Sequence, residues 1–507
     1  RRNQTEGTRD LASMNTLSTQ LMGLDISVAV LALGVLLLDL WMPVENRSKL
    51  AYVIAAALAG ILIGSFIWSP YTIRVLVDGE VKHFVQLTGG DLFVMDDLAL
   101  FFKRFFLVAA ILVILMSVGF WSRVNVGGGS EFYSITLFAL VGMLLAASAN
   151  DFTMLFVSIE LITVSFYVLT SFHRTRLASL EAGVKYLILG GLSSAVMVYG
   201  IALIYGTVGS MGFVELSNRA QLLMNQPIFL LGLMMVIAGL GFKIAAFPMQ
   251  IWAPDVYQGS PAPATAFLAV GSKAAGFVLL LRLLLVVLPH DFIVRWNTAL
   301  LAISAITILY GSLCAIPQRN LKRLLGYSSI SNAGYLLLGV AALSKDGAAA
   351  VLYYLSGYLF TVVAAFTVLA VAIRATDAED IATLAGLGKR SPFLAATMSL
   401  SMISLAGIPP LAGFFGKFLL FKAAIDAGPT YYWAVAVAIV GVVISIYYYF
   451  GVIRAIYWSA QPSDVAPIEI PLAARVSLGV CVAGMLFLGV YPASLLKLIG
   501  LAVETVH

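Results

Sequence analysis

Apolar runs of helix-spanning length recur along almost the whole chain, and they restrict it to one class of fold. An α-helix rises about 1.5 Å per residue, so about 20 apolar residues cross about 30 Å of hydrocarbon. By that measure the chain holds about 14 spans. They fall at 21–42, 50–68, 98–121, 132–147, 152–172, 177–205, 228–252, 262–288, 298–316, 321–343, 347–373, 392–424, 431–458 and 472–498. Hydrocarbon offers the backbone no partners, so each run must satisfy its own N–H and C=O groups as a helix. Hydrophobic residues make up 61% of the chain, charged ones 11%, and the mean hydropathy is +0.99. The expected fold is an all-α polytopic membrane protein.

Several function classes are excluded at this level. The net charge of +5 reflects loop lysines and arginines and is no argument for nucleic-acid binding. Cys314 and Cys481 lie in separate apolar runs, and His83, His173, His290 and His507 are scattered. No disulfide framework, zinc site, haem or iron–sulfur cluster is therefore expected in this chain. Gly127–Gly129 lacks the strand–turn–helix context of a nucleotide site and reads as a loop. The polar stretch before Met14 reads either as a tail or as an over-extended start, with Met14 as initiator. The run from Leu21 is too long for a signal-peptide core and has no small-residue cleavage site after it.

Orientation follows from the short loops. Alternate ones carry Arg47, Lys49, Arg123, Arg174, Arg176, Arg319, Lys322, Arg323, Arg374, Lys389, Arg390, Arg454 and Arg475. The loop at 69–97 is acidic, with Asp78, Glu80, Asp91, Asp96 and Asp97. The positive-inside rule places both termini on the outer side. The alternating runs TIRVLV and VKHFVQL around Asp-Gly-Glu predict a small β-hairpin on that face.

Two interruptions reveal internal symmetry. Pro248 breaks the seventh span just after Lys243, and Pro409 and Pro410 break the twelfth just before Lys417. Broken helices in matching places of two halves are the mark of inverted repeats. Five spans separate them, which inverts the second repeat. The division is a tail at 1–20, three spans with the outer hairpin loop at 21–130, one five-helix repeat at 131–290, its inverted partner at 291–460, and a last span at 461–507.

Charges inside the spans carry the functional reading. Glu160 is central in its span, where a carboxylate costs about 2.5–3.5 kcal/mol, so it needs a partner and an inward face. Lys243, in the same repeat, is the obvious one. The pair is either a static ion pair or a switch, since moving a carboxylate changes a lysine's hold on its proton. Glu181 and Lys185 form an (i, i+4) pair, read as a solvated interface pair or as a proton-entry or coupling element. Lys273 lies near mid-span, whereas Lys422 and Arg282 read as anchors that snorkel to the interface. Glu160, Lys185, Lys243, Lys273 and Lys417 make a row, with Ser272, Tyr335 and Ser404 able to hold bridging waters. Such a row carries protons between two half-channels. Sodium is less well served, because a hard cation wants several oxygen ligands.

The strings VSIELITVSFYVL, GVKYLILGGLSSAVMVYG, GLGFKIAAFPMQIWAPDVYQGSPAPATAFLAVGSKAAG, NLKRLLGYSSISNAGYLLLG and LAGIPPLAGFFGKFLLF resemble the antiporter-like membrane subunits of respiratory complex I. The nearest resemblance is to the subunit N family of the bacterial NADH–quinone oxidoreductase, from about Met14 onward. Lysine at Lys417 and the absence of a long lateral helix after the last span both favour that branch. The resemblance implies a proton-pumping module of the inner membrane with no redox centre of its own. NADH, FMN, iron–sulfur clusters and quinone would belong to other subunits, and its partners would be neighbouring membrane-arm subunits and lipid. Glu160 would be the carboxylate, Lys243 its partner, Lys273 the central relay and Lys417 the lysine serving the outer exit. Glu181 and Lys185 resemble the charged pair on the sixth span. The alternative is a Mrp-type cation/proton antiporter component not linked to quinone; a purely structural spacer fits the buried charges least.

Overall fold

Three helices buried on every side form the centre of this protein. They are α8 (Ala262–Val287), α10 (Leu321–Ala341) and α11 (Lys345–Ala372), each buried over almost its whole length. The structure, a computed structural model, describes residues 22–41, 47–67, 72–77, 80–85, 92–124, 129–372, 379–459 and 467–504. The tail at 1–20, the turn at Asp78 and Gly79, and most of the glycine-rich loop lie outside these residues. Among the described residues, thirteen helices are long and apolar enough to cross a membrane. The broken twelfth, whose halves have 15 residues each, makes the fourteenth crossing.

The chain begins with α1 (Gly23–Trp41), α2 (Arg47–Ile67) and α3 (Asp97–Val124). Between α2 and α3, β1 (Thr72–Val77) pairs antiparallel with β2 (Glu80–Val85), Thr72 opposite Val85, as the alternation predicts. The first set of five crossings is α4 (Gly129–Ala147), α5 (Phe152–Thr170), α6 (Leu177–Val208), a broken helix α7a (Pro227–Ile244) with α7b (Trp252–Gly259), and α8. The second is α9 (Asn297–Ala315), α10, α11, a broken helix α12a (Pro392–Ala406) with α12b (Ala412–Asp426), and α13 (Tyr432–Trp458). Contacts repeat between the sets. In the first, α4 packs on α5, α6 touches both halves of α7, and α8 lies on α7a. In the second, α9 packs on α10, α11 touches both halves of α12, and α13 lies on α12a. The sets meet where α7b rests on α10 and α8 on α11. Outside them, α3 covers α4, and α14 (Leu472–Val490) packs on α11 and α3.

Two surface elements depart from the expected spans. The last crossing stops at Val490 rather than continuing to 498; Pro492 cannot extend a helix, and α15 (Ala493–Ala502) starts a new direction after it. A short amphipathic helix, Phe213–Leu223, joins α6 to α7a and buries Phe213, Leu216, Ala220 and Leu223.

Both breaks use the same cap. α7a ends at Ala245, φ 59°, and Ala246 N–H reaches Gly241 O at 2.9 Å. α12a ends at Gly407, φ 82°, and Ile408 N–H reaches Ile403 O at 3.2 Å. This is the Schellman arrangement, in which a left-handed residue turns the chain out of the helix. The first break therefore opens three residues before Pro248, leaving Lys243 in the last turn.

Candidate functional site

Each of the three buried lysines of the row, Lys243, Lys273 and Lys417, sits where irregular backbone or a hydroxyl-bearing helix face provides an acceptor. Lys243 is buried at the end of α7a, and its ammonium donates to Thr163 Oγ1 on α5. Glu160, one turn earlier on α5, instead accepts from Ser194 Oγ on α6. Lys243 thus meets α5 one turn from Glu160, without a direct ion pair between the two. Trp252, opening α7b, donates from its indole to Phe242 O at 3.0 Å and closes the break over Lys243. α8 approaches so closely that a Cβ on Gly276 would stand 3.1 Å from Lys243 Cβ and 2.7 Å from Ile244 Cγ2. Glycine is required there. Lys273 lies one turn before Gly276 on the same face of α8, so the two lysines belong to adjoining helices.

Lys273 follows a π-helical turn at Leu268–Ser272, a distortion that re-aims side chains within a helix. Its ammonium donates to Ser329 O at 2.6 Å and to Ser329 Oγ on α10, while Tyr257 OH of α7b lies 2.8 Å from that hydroxyl. Beyond it, α10 turns a polar strip into the core. Ser328 bonds Tyr449 OH at 2.5 Å, and Asn332 accepts from Tyr354 OH at 2.7 Å. Ser331 meets Ser312 at 2.9 Å, and Tyr335 follows one turn on. Lys417 of α12b lies over the Tyr335 ring at 4.7 Å and donates to Leu405 O at 2.7 Å. That carbonyl ends α12a, where the helix dipole favours a cation. Ser404 beside it bonds Thr361 at 2.9 Å. The hydroxyls of Ser272, Tyr186, Tyr335 and Tyr448 are buried without a protein partner along this line. Buried polar groups of this kind are commonly met by water.

Residues 149–445 match the family model described as NADH:quinone oxidoreductase/Mrp antiporter, transmembrane region. A NADH-quinone oxidoreductase subunit N of Desulforamulus reducens is 38% identical over 95% of this chain and 97% of its own length. The chain belongs to the subunit N family. Among solved structures, a chain of respiratory complex I from Thermus thermophilus with bound aureothin superposes with a TM-score of 0.76. It is 31% identical, covering 94% of this chain and 98% of that one. A chain of the Mrp complex from Dietzia shares the fold, with a TM-score of 0.79 at 23% identity over 96% and 97% of the two chains.

Within this member of the subunit N family, Lys185 bridges Glu181 at 2.7 Å and Asp255 of α7b at 2.8 Å. Asp255 also receives Arg323 of α10 at 2.5 Å. The (i, i+4) pair is therefore the flank of a chain that reaches the second repeat. Asp255 stands in the break string APDVYQG, where a lone acid between two apolar runs is a readable signal. Lys422 is exposed and pairs with Asp426 at 2.6 Å.

Arg282 corrects the sequence reading. It does not snorkel: it is buried, donates to both oxygens of Asp96 at 2.9 and 3.0 Å, and reaches Ala147 O at 2.8 Å. A carboxylate at the start of α3 removes the need to reach water. Lys103 of α3 and Asp25 of α1 form a second buried pair at 2.6 Å. Sequence reasoning missed both partners, although a lone Asp25 and a lone Lys103 in apolar runs carry the same signal as Glu160. Lys322, read as a loop charge, is also buried.

Proposed function

We propose that this chain is a proton-translocating membrane-arm subunit of a NADH–quinone oxidoreductase, in which quinone reduction elsewhere drives protons along the midplane row. The observation that carries the reading is the acceptor given to each of the three buried lysines of the row. Lys243, Lys273 and Lys417 are all buried, none holds a carboxylate directly among the described residues, and each donates to a hydroxyl or to a backbone carbonyl. An ammonium held only by neutral oxygens in an apolar surrounding gives up its proton more readily than one locked to a carboxylate. Glu160, one turn from Thr163, is placed to act on Lys243. Glu181 and Lys185 couple the inner flank to α7b, and Lys417 serves the outer exit. The chain moves protons and not electrons; NADH, FMN, iron–sulfur clusters and quinone belong to its partners, the neighbouring membrane-arm subunits. It lies in the bacterial inner membrane with both termini outside.

The test is proton pumping by the assembled complex in membrane vesicles. Lys243→Met and Glu160→Ala are expected to assemble and to lower pumping per quinone reduced. Wild-type pumping in an assembled variant would refute the switch. A native gel of mildly solubilised membranes separates this reading from an Mrp-type antiporter component. Migration of the tagged chain in a very large band with NADH dehydrogenase activity supports the pump; migration away from such activity supports the antiporter.

A further inference from the structure

Lys322 opens α10 in the run Asn320-Leu321-Lys322-Arg323, where a basic residue is expected to face inner water. Its side chain is only 2% exposed. Its ammonium lies 2.8 Å from Glu379 and donates to Ser260 O at 2.8 Å, in the linker between α7b and α8. Glu379 keeps 14% of its side chain exposed, and its other oxygen accepts from the more exposed Arg176 at 3.0 Å. The backbone fixes this geometry, with Leu321 N–H on Glu379 O and Ile381 N–H on Arg319 O, both at 2.9 Å. Lys322 is thus a buried cation with an inner-facing carboxylate on one side and the junction of the repeats on the other.

Polar groups continue from it toward Lys273. Ser260 Oγ is buried without a protein partner, which suits a water. Tyr257, three residues earlier, bonds Ser329, and Ser329 accepts from Lys273. Lys322 and Ser329 are seven residues apart on α10, hence on one face about 10 Å apart along its axis. Between them α7b lies flush against α10: a Cβ on Gly326 would stand 3.1 Å from Pro254 Cα and 3.3 Å from Tyr257 Cβ.

We propose that Lys322 is the proton-carrying residue of an inner uptake port, loaded through Glu379 and discharging by way of Ser260, Tyr257 and Ser329 toward Lys273. The proposal rests on the proton-translocation reading above. In each cycle Glu379 first takes a proton from inner water, which removes the negative charge beside the ammonium; one N–H bond of the ammonium then breaks, and the proton passes to a water or hydroxyl of the line. The free amine then takes a proton from inner water or from the Glu379 carboxyl. No electron moves, and no co-reactant is consumed.

A merely structural ion pair and a proton carrier respond differently to arginine. A guanidinium keeps the charge and can pair with Glu379, but it does not release a proton in a protein. Lys322→Arg, Lys322→Met and Lys273→Met are compared in the assembled complex, reading proton pumping per quinone reduced in vesicles. Both Lys322 variants are expected to lower that ratio several-fold at normal assembly. A wild-type ratio in Lys322→Arg, with Lys273→Met impaired, overturns the port and leaves the row standing. A wild-type ratio in Lys273→Met overturns both. Should neither Lys322 variant assemble, Glu379→Gln decides, since it keeps the size of the side chain and an oxygen for Lys322 or Arg176 while removing the group that takes up a proton: a ratio lowered at least twofold supports the port, and an unchanged ratio overturns it.

Discussion

The ammonium of Lys273 donates to the main-chain carbonyl of Ser329 across 2.6 Å, and the hydroxyl of the same residue receives it as well. One residue of the second repeat therefore holds the central lysine of the first, and its hydroxyl passes on to Tyr257 at 2.8 Å. Ser329→Ala keeps the carbonyl and deletes the link. The loss of one neutral hydrogen bond costs about 1 kcal/mol, so the complex is expected to assemble. Pumping per quinone reduced should nevertheless fall, with Ser329→Thr recovering part of it. Equal pumping by the alanine and wild-type forms would show that the hydroxyl carries no protons.

Gly407 has a second reason to be glycine besides its φ of 82°. A Cβ there would stand 3.0 Å from Lys417 Cδ, so Gly407→Ala strains the cap and displaces the lysine. About 1–3 kcal/mol of destabilisation is expected from the left-handed conformation alone. Ala245, the equivalent cap of the first break, already bears that cost at φ 59°. Ala245→Gly should therefore leave thermal stability in detergent unchanged or slightly raised, whereas Gly407→Ala lowers it and also reduces pumping. The same response from both variants would contradict the asymmetry between the two caps.

The buried pairs at the starts of α1 and α3 predict a contrast in assembly. Removing one partner of a buried ion pair leaves an uncompensated charge, at a cost of about 3–5 kcal/mol. Asp96→Asn leaves Arg282 without its carboxylate, and Asp25→Asn does the same to Lys103. Both are expected to deplete the chain from membranes. Lys422→Met removes an exposed pair with Asp426 and should change neither amount nor pumping. The blot of membrane fractions is the measurement, and normal levels of Asp96→Asn would mean that water reaches Arg282.

How much of this was legible in the sequence depends on whether the signal was local. The spans, the hairpin, the two breaks and the lone charges at Glu160, Lys243, Lys273 and Lys417 follow from periodicity, proline and the cost of charge in hydrocarbon. Partners were not legible where they come from distant segments. Arg282 near a helix end looks like an anchor until Asp96, 186 residues away, is folded against it. Lys322 looks like a loop charge because its burial depends on Glu379 and the Ser260 linker. The serines of α10 are small enough to read as helix packing; only the burial of α10 among α7b, α9, α11 and α13 makes them a polar strip.

His173 reports on the charge of Lys322. It lies between α5 and α6, and burial of the ring, followed by the positive charges of Arg176 and Lys322, holds its pKa below the ordinary 6.5, with Glu379 opposing. The unfolded chain then binds the proton more readily between the folded value and 6.5. The stability tied to this group is accordingly complete above 6.5 and declines as pH falls through that window to the folded value. Lys322→Met removes one positive charge, so the His173 pKa should rise toward 6.5 and the acid-side loss should shrink. Glu379→Gln removes the opposing negative charge and should move the pKa further down. With only four histidines in the chain, a labelled-histidine NMR titration in a nanodisc can resolve the shift. A His173 pKa that stays put or falls in Lys322→Met would mean that Lys322 is not held charged beside Glu379.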